Sequence, residues 1–195
     1  MKVIFLDVDG VLNVMSDSYR TFMKPEGHHI EYHLVDRLNY IMAKTDAKIV
    51  ISSSWKSSMG DLEFQLKQEG FRYWDKVIGR TPFSGEMDTR GEQSGYRGLQ
   101  IQYWLKHNAE KIKRYVVLED EISDVCGEKC SAIPFKNVIS VDMNEGLSHY
   151  DTMEAIMFLN TGKRRDIHKK EKYFKQYSNR IYQLIDEIKG LREKQ

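Results

Sequence analysis

The sequence predicts an α/β domain, a three-layer α/β/α sandwich around a mostly parallel sheet. Three observations predict it. Short apolar runs of strand length alternate with stretches whose apolar residues recur at helical spacing. The runs are near-continuously apolar, as strands buried on both faces are. Several of them end on carboxylates or serines, where an open parallel sheet gathers its ligand-binding groups.

The first strand is KVIFLD, and residues 13–30 after it form a polar loop containing Gly and His. In EYHLVDRLNYIMAKT, Leu34, Val35, Leu38, Ile41 and Met42 mark one helix face. AKIVIS is the second strand, DLEFQLKQEG a short helix ending at Gly70, and DKVIGR a third strand. Residues 81–96 have no periodicity and read as an exposed loop. GLQIQYWLKHN is helical, RYVVLED and NVISVD are further strands, and SHYDTMEAIMFLN supplies the next helix. A last helix, Asp166 to Arg192, falls outside the alternation. The inserts at 13–30 and 57–96 are too short or too irregular for more than a small cap. The predicted domain is therefore 1–162, with 163–195 a basic amphipathic C-terminal helix.

With 41% hydrophobic and 11% aromatic residues among 195, the chain can bury a sizeable core, which excludes wholesale disorder. A net charge of +1 hides an asymmetry. Residues 163–195 carry 11 Lys and Arg against 5 Asp and Glu, whereas the remainder carries 19 against 24. An acidic body is joined to a basic tail. Cys126 and Cys130 are too few for a disulfide scaffold or a four-cysteine zinc site, and read as reduced thiols of a cytosolic protein. No apolar run approaches the ~20 residues of a membrane span, and the N-terminus lacks a signal-peptide pattern. A soluble, cytoplasmic protein without a membrane partner is expected.

The chemistry should lie at the carboxyl ends of the strands. Asp7 and Asp9 follow the first strand, Ser52, Ser53 and Ser54 the second, and Glu119, Asp120 and Asp124 the RYVVL strand. Arg97 opens a helix after the long loop. Carboxylates brought to one crevice repel one another unless a cation sits among them. Hard oxygen ligands without a histidine cluster favour Mg²⁺ over zinc. A strand tip holds a nucleophile rigidly, and Gly10 lets a substrate approach the backbone closely. An aspartate can attack phosphorus to form an aspartyl phosphate, and a cation such as Arg97 offsets the charge of the incoming dianion.

At these residues the sequence resembles the haloacid dehalogenase (HAD) superfamily of aspartate-nucleophile phosphatases. DVDGV matches its first motif, IVIS the second and VVLEDEISD the fourth. The basic third-motif residue, usually lysine, is best matched by Arg97 in YRGLQIQYWL. More narrowly, FLDVDGVLN, IVISSSWK, RGLQIQYWL, YVVLED and GLS resemble the phosphatase-type domain of Swiss-army-knife RNA repair proteins, over residues 1–160.

The resemblance implies that Asp7 is the nucleophile and that Asp9 is first general acid, then general base. It implies that Ser52 hydrogen-bonds the transferring phosphoryl group, with the backbone around Ser53 helping. Arg97 would balance charge on nucleophile and phosphate, and Arg90 is near enough in sequence to compete for that substrate-binding role. Mg²⁺ would sit on the Asp7 carboxylate, the Asp9 carbonyl and Asp120, with Asp124 in or beside the coordination sphere. Glu119 stays open as the alternative to Asp120 for the first ligand from that strand. Arginine in the third position is a wider donor than lysine and no proton source.

The expected function is a Mg²⁺-dependent phosphatase acting through an aspartyl phosphate, on RNA or DNA ends or on nucleotides. The alternatives are a phosphatase of other small phosphomonoesters and a non-catalytic binding module that kept the fold. Asp-Gly after a strand also makes ordinary turns, and Ser54 reads as a helix cap. His28, His29 and His33 read as a solvated helix start, Cys126 and Cys130 as packing residues, and Tyr19, Trp55 and Tyr96 as cover for the core. In the tail, Phe174, Tyr177, Ile181, Leu184, Ile188 and Leu191 form a seam that packs on its own domain or pairs in a homodimer. Lys169, Lys170, Lys172, Lys175 and Arg180 on the opposite face suit nucleic-acid phosphates.

Overall fold

The computed structural model describes residues 1–14, 29–87, 95–126, 130 and 132–164. The chain divides into two units, Met1–Gly162 and Lys163–Gln195, and the first carries every element below. The expected C-terminal helix, Tyr19, His28 and Arg90 lie outside the described residues.

The elements follow in the order β1 (Lys2–Leu6), α1 (Tyr32–Thr45), β2 (Lys48–Ile51), α2 (Met59–Gln68), β3 (Val77–Arg80), α3 (Arg97–Asn108), β4 (Arg114–Glu119), β5 (Val138–Ser140) and α4 (His149–Thr161). The strands form one sheet, ordered β3-β2-β1-β4-β5, with every neighbouring pair parallel. This is the Rossmann-like three-layer arrangement that the patterning predicts.

Period-two alternation explains why the strands read as continuous apolar runs, since both faces are covered. Ile4, Leu6, Ile49, Ile51, Val116 and Leu118 enter one core, beneath Leu34, Leu38 and Ile41 of α1, Leu62 and Leu66 of α2, and Leu159 of α4. Their neighbours Val3, Phe5, Val50 and Val117 enter a second core, beneath Ile101 and Trp104 of α3. Phe5 meets Trp104 edge to face at 5.4 Å. Helix ends are set locally. Ser148 and Asp151 form a reciprocal capping box that starts α4, and Gly162, at φ 77°, ends it.

The loop expected to be exposed at 81–96 is partly packed. Thr81 is buried because its N–H extends the β2–β3 ladder to Ile51 O at 2.9 Å. Arg80 then grips Glu86 through two hydrogen bonds of 2.8 and 2.9 Å, bringing Met87 inward. Among the described residues no helix is long and apolar enough to cross a membrane.

Strand order positions the site. The chain builds β1, β2 and β3 outward in one direction, then crosses to lay β4 on the other side of β1. Such a reversal opens a crevice beyond the carboxyl ends of the two strands that flank it, here β1 and β4.

Candidate active site

The residues at the crevice stand on sheet backbone. The Asp7 N–H continues the β1–β4 ladder, donating to Leu118 O at 3.1 Å, and the Ser52 N–H donates to Leu6 O at 2.8 Å. Side chains held this way are placed more rigidly than on a free loop. Asp7 is only 3% exposed. Its Oδ1 accepts the Val8 N–H at 2.8 Å, and its Oδ2 accepts from Nη1 of Arg97. The same guanidinium nitrogen donates to Glu119 Oε2 at 2.7 Å. Glu119 ends β4 and is 1% exposed. One carboxylate oxygen from each of Asp7, Glu119 and Asp120 lies within 4.8 Å of the others.

Three carboxylates against one guanidinium leave this cluster negative. Burial, and after it the charge of Asp7, push the Glu119 carboxyl well above its ordinary range, against the pull of Arg97. The same two causes raise Asp120. Burial alone would lower Arg97, but Asp7 and Glu119 outweigh it and the guanidinium holds its proton more tightly than usual. A cation among the three oxygens would relieve this repulsion. Mg²⁺, with bonds of about 2.1 Å, spans oxygens roughly 3 to 4 Å apart, a separation compatible with three carboxylate oxygens gathered within 4.8 Å.

Asp9 is held separately. Both its oxygens lie 3.2 Å from the Trp55 indole nitrogen, Oδ1 also accepts from Asn13 Nδ2 at 2.9 Å, and Oδ2 from Ser54 Oγ at 3.4 Å. Gly10 carries φ +73°, and a Cβ there would stand 2.5 Å from Cγ and Oδ2 of Asp120. The absent side chain of Gly10 leaves room for the Asp120 carboxylate. Gly10→Ala should both strain the backbone and displace that carboxylate. The expected result is a lower melting temperature, read from a thermal melt beside the wild type.

The serines divide their work. The Ser52 hydroxyl is buried and has no hydrogen-bond partner among the described residues, an orphan that a bound oxyanion would satisfy. The cap expected at Ser54 falls to Ser53, whose backbone is extended and whose Oγ accepts the Trp55 N–H at 3.4 Å. Ser54 already lies inside the short turn that follows. Asp124 stands apart from the three clustered oxygens, and its Oδ2 accepts the backbone N–H of Arg97 at 3.3 Å, anchoring the first turn of α3. Gly98 lets that turn come close, since a Cβ there would meet Val125 O at 2.5 Å. His33 is well exposed and 3.6 Å from Glu31, as a solvated helix start would be. Cys130 is buried and Cys126 partly so.

Sequence reasoning missed Trp55, Asn13 and Gly98 as site residues, and Lys56 as a buried one. The one available signal was position, with Trp55 and Lys56 lying immediately beyond the serines at a strand end.

Residues 3–152, from β1 into α4, match a family model described as the HAD domain in Swiss Army Knife RNA repair proteins. The chain belongs to that family. Membership places this HAD domain among the HAD-superfamily phosphatases and hydrolases, and its acidic cluster is of the kind that can hold a metal ion. No curated protein and no solved structure matches the chain.

Proposed function

We propose that this HAD domain is a Mg²⁺-dependent phosphatase that works through an aspartyl phosphate on Asp7. The observation that supports this most is the meeting of Asp7, Glu119, Asp120 and Arg97 where β1 and β4 end. Bound Mg²⁺, held by Asp7 and Asp120 with Glu119 or the Asp9 carbonyl, would neutralise carboxylate and phosphoryl charge together.

An Asp7 oxygen attacks phosphorus, the bond to the leaving oxygen breaks, and Asp9 supplies that oxygen with a proton. In the second step Asp9 takes a proton from water, whose oxygen attacks phosphorus, releasing phosphate and the free Asp7 carboxylate. Arg97 already contacts Asp7 and offsets charge as the dianion approaches. The Ser52 hydroxyl and the backbone at Ser53 would donate to phosphoryl oxygens.

RNA or DNA ends lead as substrate because the matching family is named for RNA repair proteins and residues 163–195 carry a basic excess. Nucleotides and other small phosphomonoesters come next. The test is hydrolysis of an aryl phosphate, followed by a panel of nucleotides, sugar phosphates and phosphorylated RNA ends. Turnover should require Mg²⁺, vanish in EDTA, and be inhibited by Ca²⁺, whose looser coordination misplaces the reacting groups. Undiminished turnover in EDTA, or support by zinc alone, would overturn the reading.

A further inference from the structure

Lys56 is a buried cation that the reaction above does not use. It is 8% exposed and sits in the turn Ser54–Ser57 that follows β2. Its Nζ donates to Gln100 Oε1 at 2.5 Å, to Pro82 O at 2.9 Å and to Thr81 Oγ1 at 3.2 Å. An ammonium has three N–H donors, and here each has an acceptor. None of those acceptors is a carboxylate, and among the described residues no ion pair offsets the burial of the charge, although Nζ lies 5.1 Å from the Phe83 ring centroid. Burial, then the charges of Arg97 and Arg80, lower its pKa to about 8 against the opposing pull of Glu86. Its acceptors come from the chain leaving β3 and from α3, so one amine joins three segments.

We infer that Lys56 is a positioning residue for the phosphatase reaction, tying the turn after β2 to α3 and thereby setting where Arg97 meets Asp7. The inference rests on the function proposed above. Gln100 lies one helical turn beyond Arg97, is itself buried, and donates through Nε2 to Gly95 O at 3.4 Å, in the chain that enters the helix. Lys56 therefore reaches the first turn of α3 through a single side chain. From the other side Asp124 holds the Arg97 N–H, so the turn is pinned at two points. The segment that carries Lys56 also presents Ser52 and delivers the Trp55 indole to Asp9. A slip between this turn and α3 would move Arg97 relative to the groups that face the phosphoryl transfer. A methionine at position 56 would fill the space but remove the donor that these three acceptors share.

The test compares the full chain with Lys56→Met, Gln100→Met and the double variant. The readouts are kcat and KM for an aryl phosphate at saturating Mg²⁺, and amide hydrogen exchange across residues 97–101. Each single variant should lower kcat by about 10- to 100-fold, leave KM within about threefold, and speed exchange in that turn. The double variant should be no slower than the worse single, because both act through one contact. Should Lys56→Met fail to fold, Gln100→Met carries the same expectations. A lowered melting temperature with kcat unchanged would reduce Lys56 to a core filler and overturn the inference, as would unchanged exchange. Wild-type chain that hydrolyses neither an aryl phosphate nor any member of the substrate panel would instead remove the phosphatase reading, and exchange alone would then decide whether Lys56 holds α3.

Discussion

Asp7→Asn should abolish turnover, a loss of more than about 10⁴-fold, while the protein stays folded. The carboxamide is close to isosteric but has no anionic oxygen with which to attack phosphorus, so the covalent step has no other starting point. It also removes the negative charge from one of the three side chains whose oxygens lie within 4.8 Å of one another. Folding should survive for an electrostatic reason. The native cluster sets three carboxylates against one guanidinium, and Glu119 keeps its own contact with Arg97 at 2.7 Å when Asp7 loses its charge. Removing one like charge lessens the repulsion that raises Glu119 and Asp120. Phosphate release and a thermal melt on the same preparation check both halves. Turnover near the wild-type rate would end the mechanism.

The fold was legible because its strands are buried on both faces. Val3 to Leu6 and Val116 to Leu118 are wholly buried, so the run of apolar letters and the strand coincide. Motif positions were legible for the same reason, since a strand that ends at a crevice must change from apolar to polar there. What the linear order could not carry was the pairing across elements. Glu119 and Asp120 were alternatives in sequence, yet both lie in the cluster, because Glu119 closes β4 facing Arg97 and Asp120 fills the space left by Gly10. Asp124 has the spacing of a ligand, and the structure adds that its Oδ2 accepts the first N–H of α3. Lys56 is buried because the exit from β3 and Gln100 fold against it. Each of these depends on a residue at least 20 positions away, beyond the reach of local pattern.

Asp9→Asn should slow turnover by about 10²- to 10⁴-fold while leaving Mg²⁺ affinity near that of the wild type. The two effects separate because the ligand expected from this residue is its backbone carbonyl, which the substitution keeps. The loss follows from the side chain's contacts. In this structure the carboxylate accepts from Trp55 Nε1, Asn13 Nδ2 and Ser54 Oγ. A protonated oxygen cannot donate back to the indole N–H, so to act as an acid Asp9 must turn at least one oxygen away from Trp55 and toward the leaving group. An asparagine can accept from the same indole through its carbonyl, yet it carries no transferable proton and cannot take one from water. Both steps should therefore slow. Leaving groups that depart without a proton, such as nitrophenolate, should be affected less in the first step than alkyl phosphates. The check is a comparison of aryl and alkyl phosphates with Asp9→Asn, alongside Mg²⁺ titrations of both proteins. An equal, small loss on both substrates would mean that Asp9 only shapes the turn after β1.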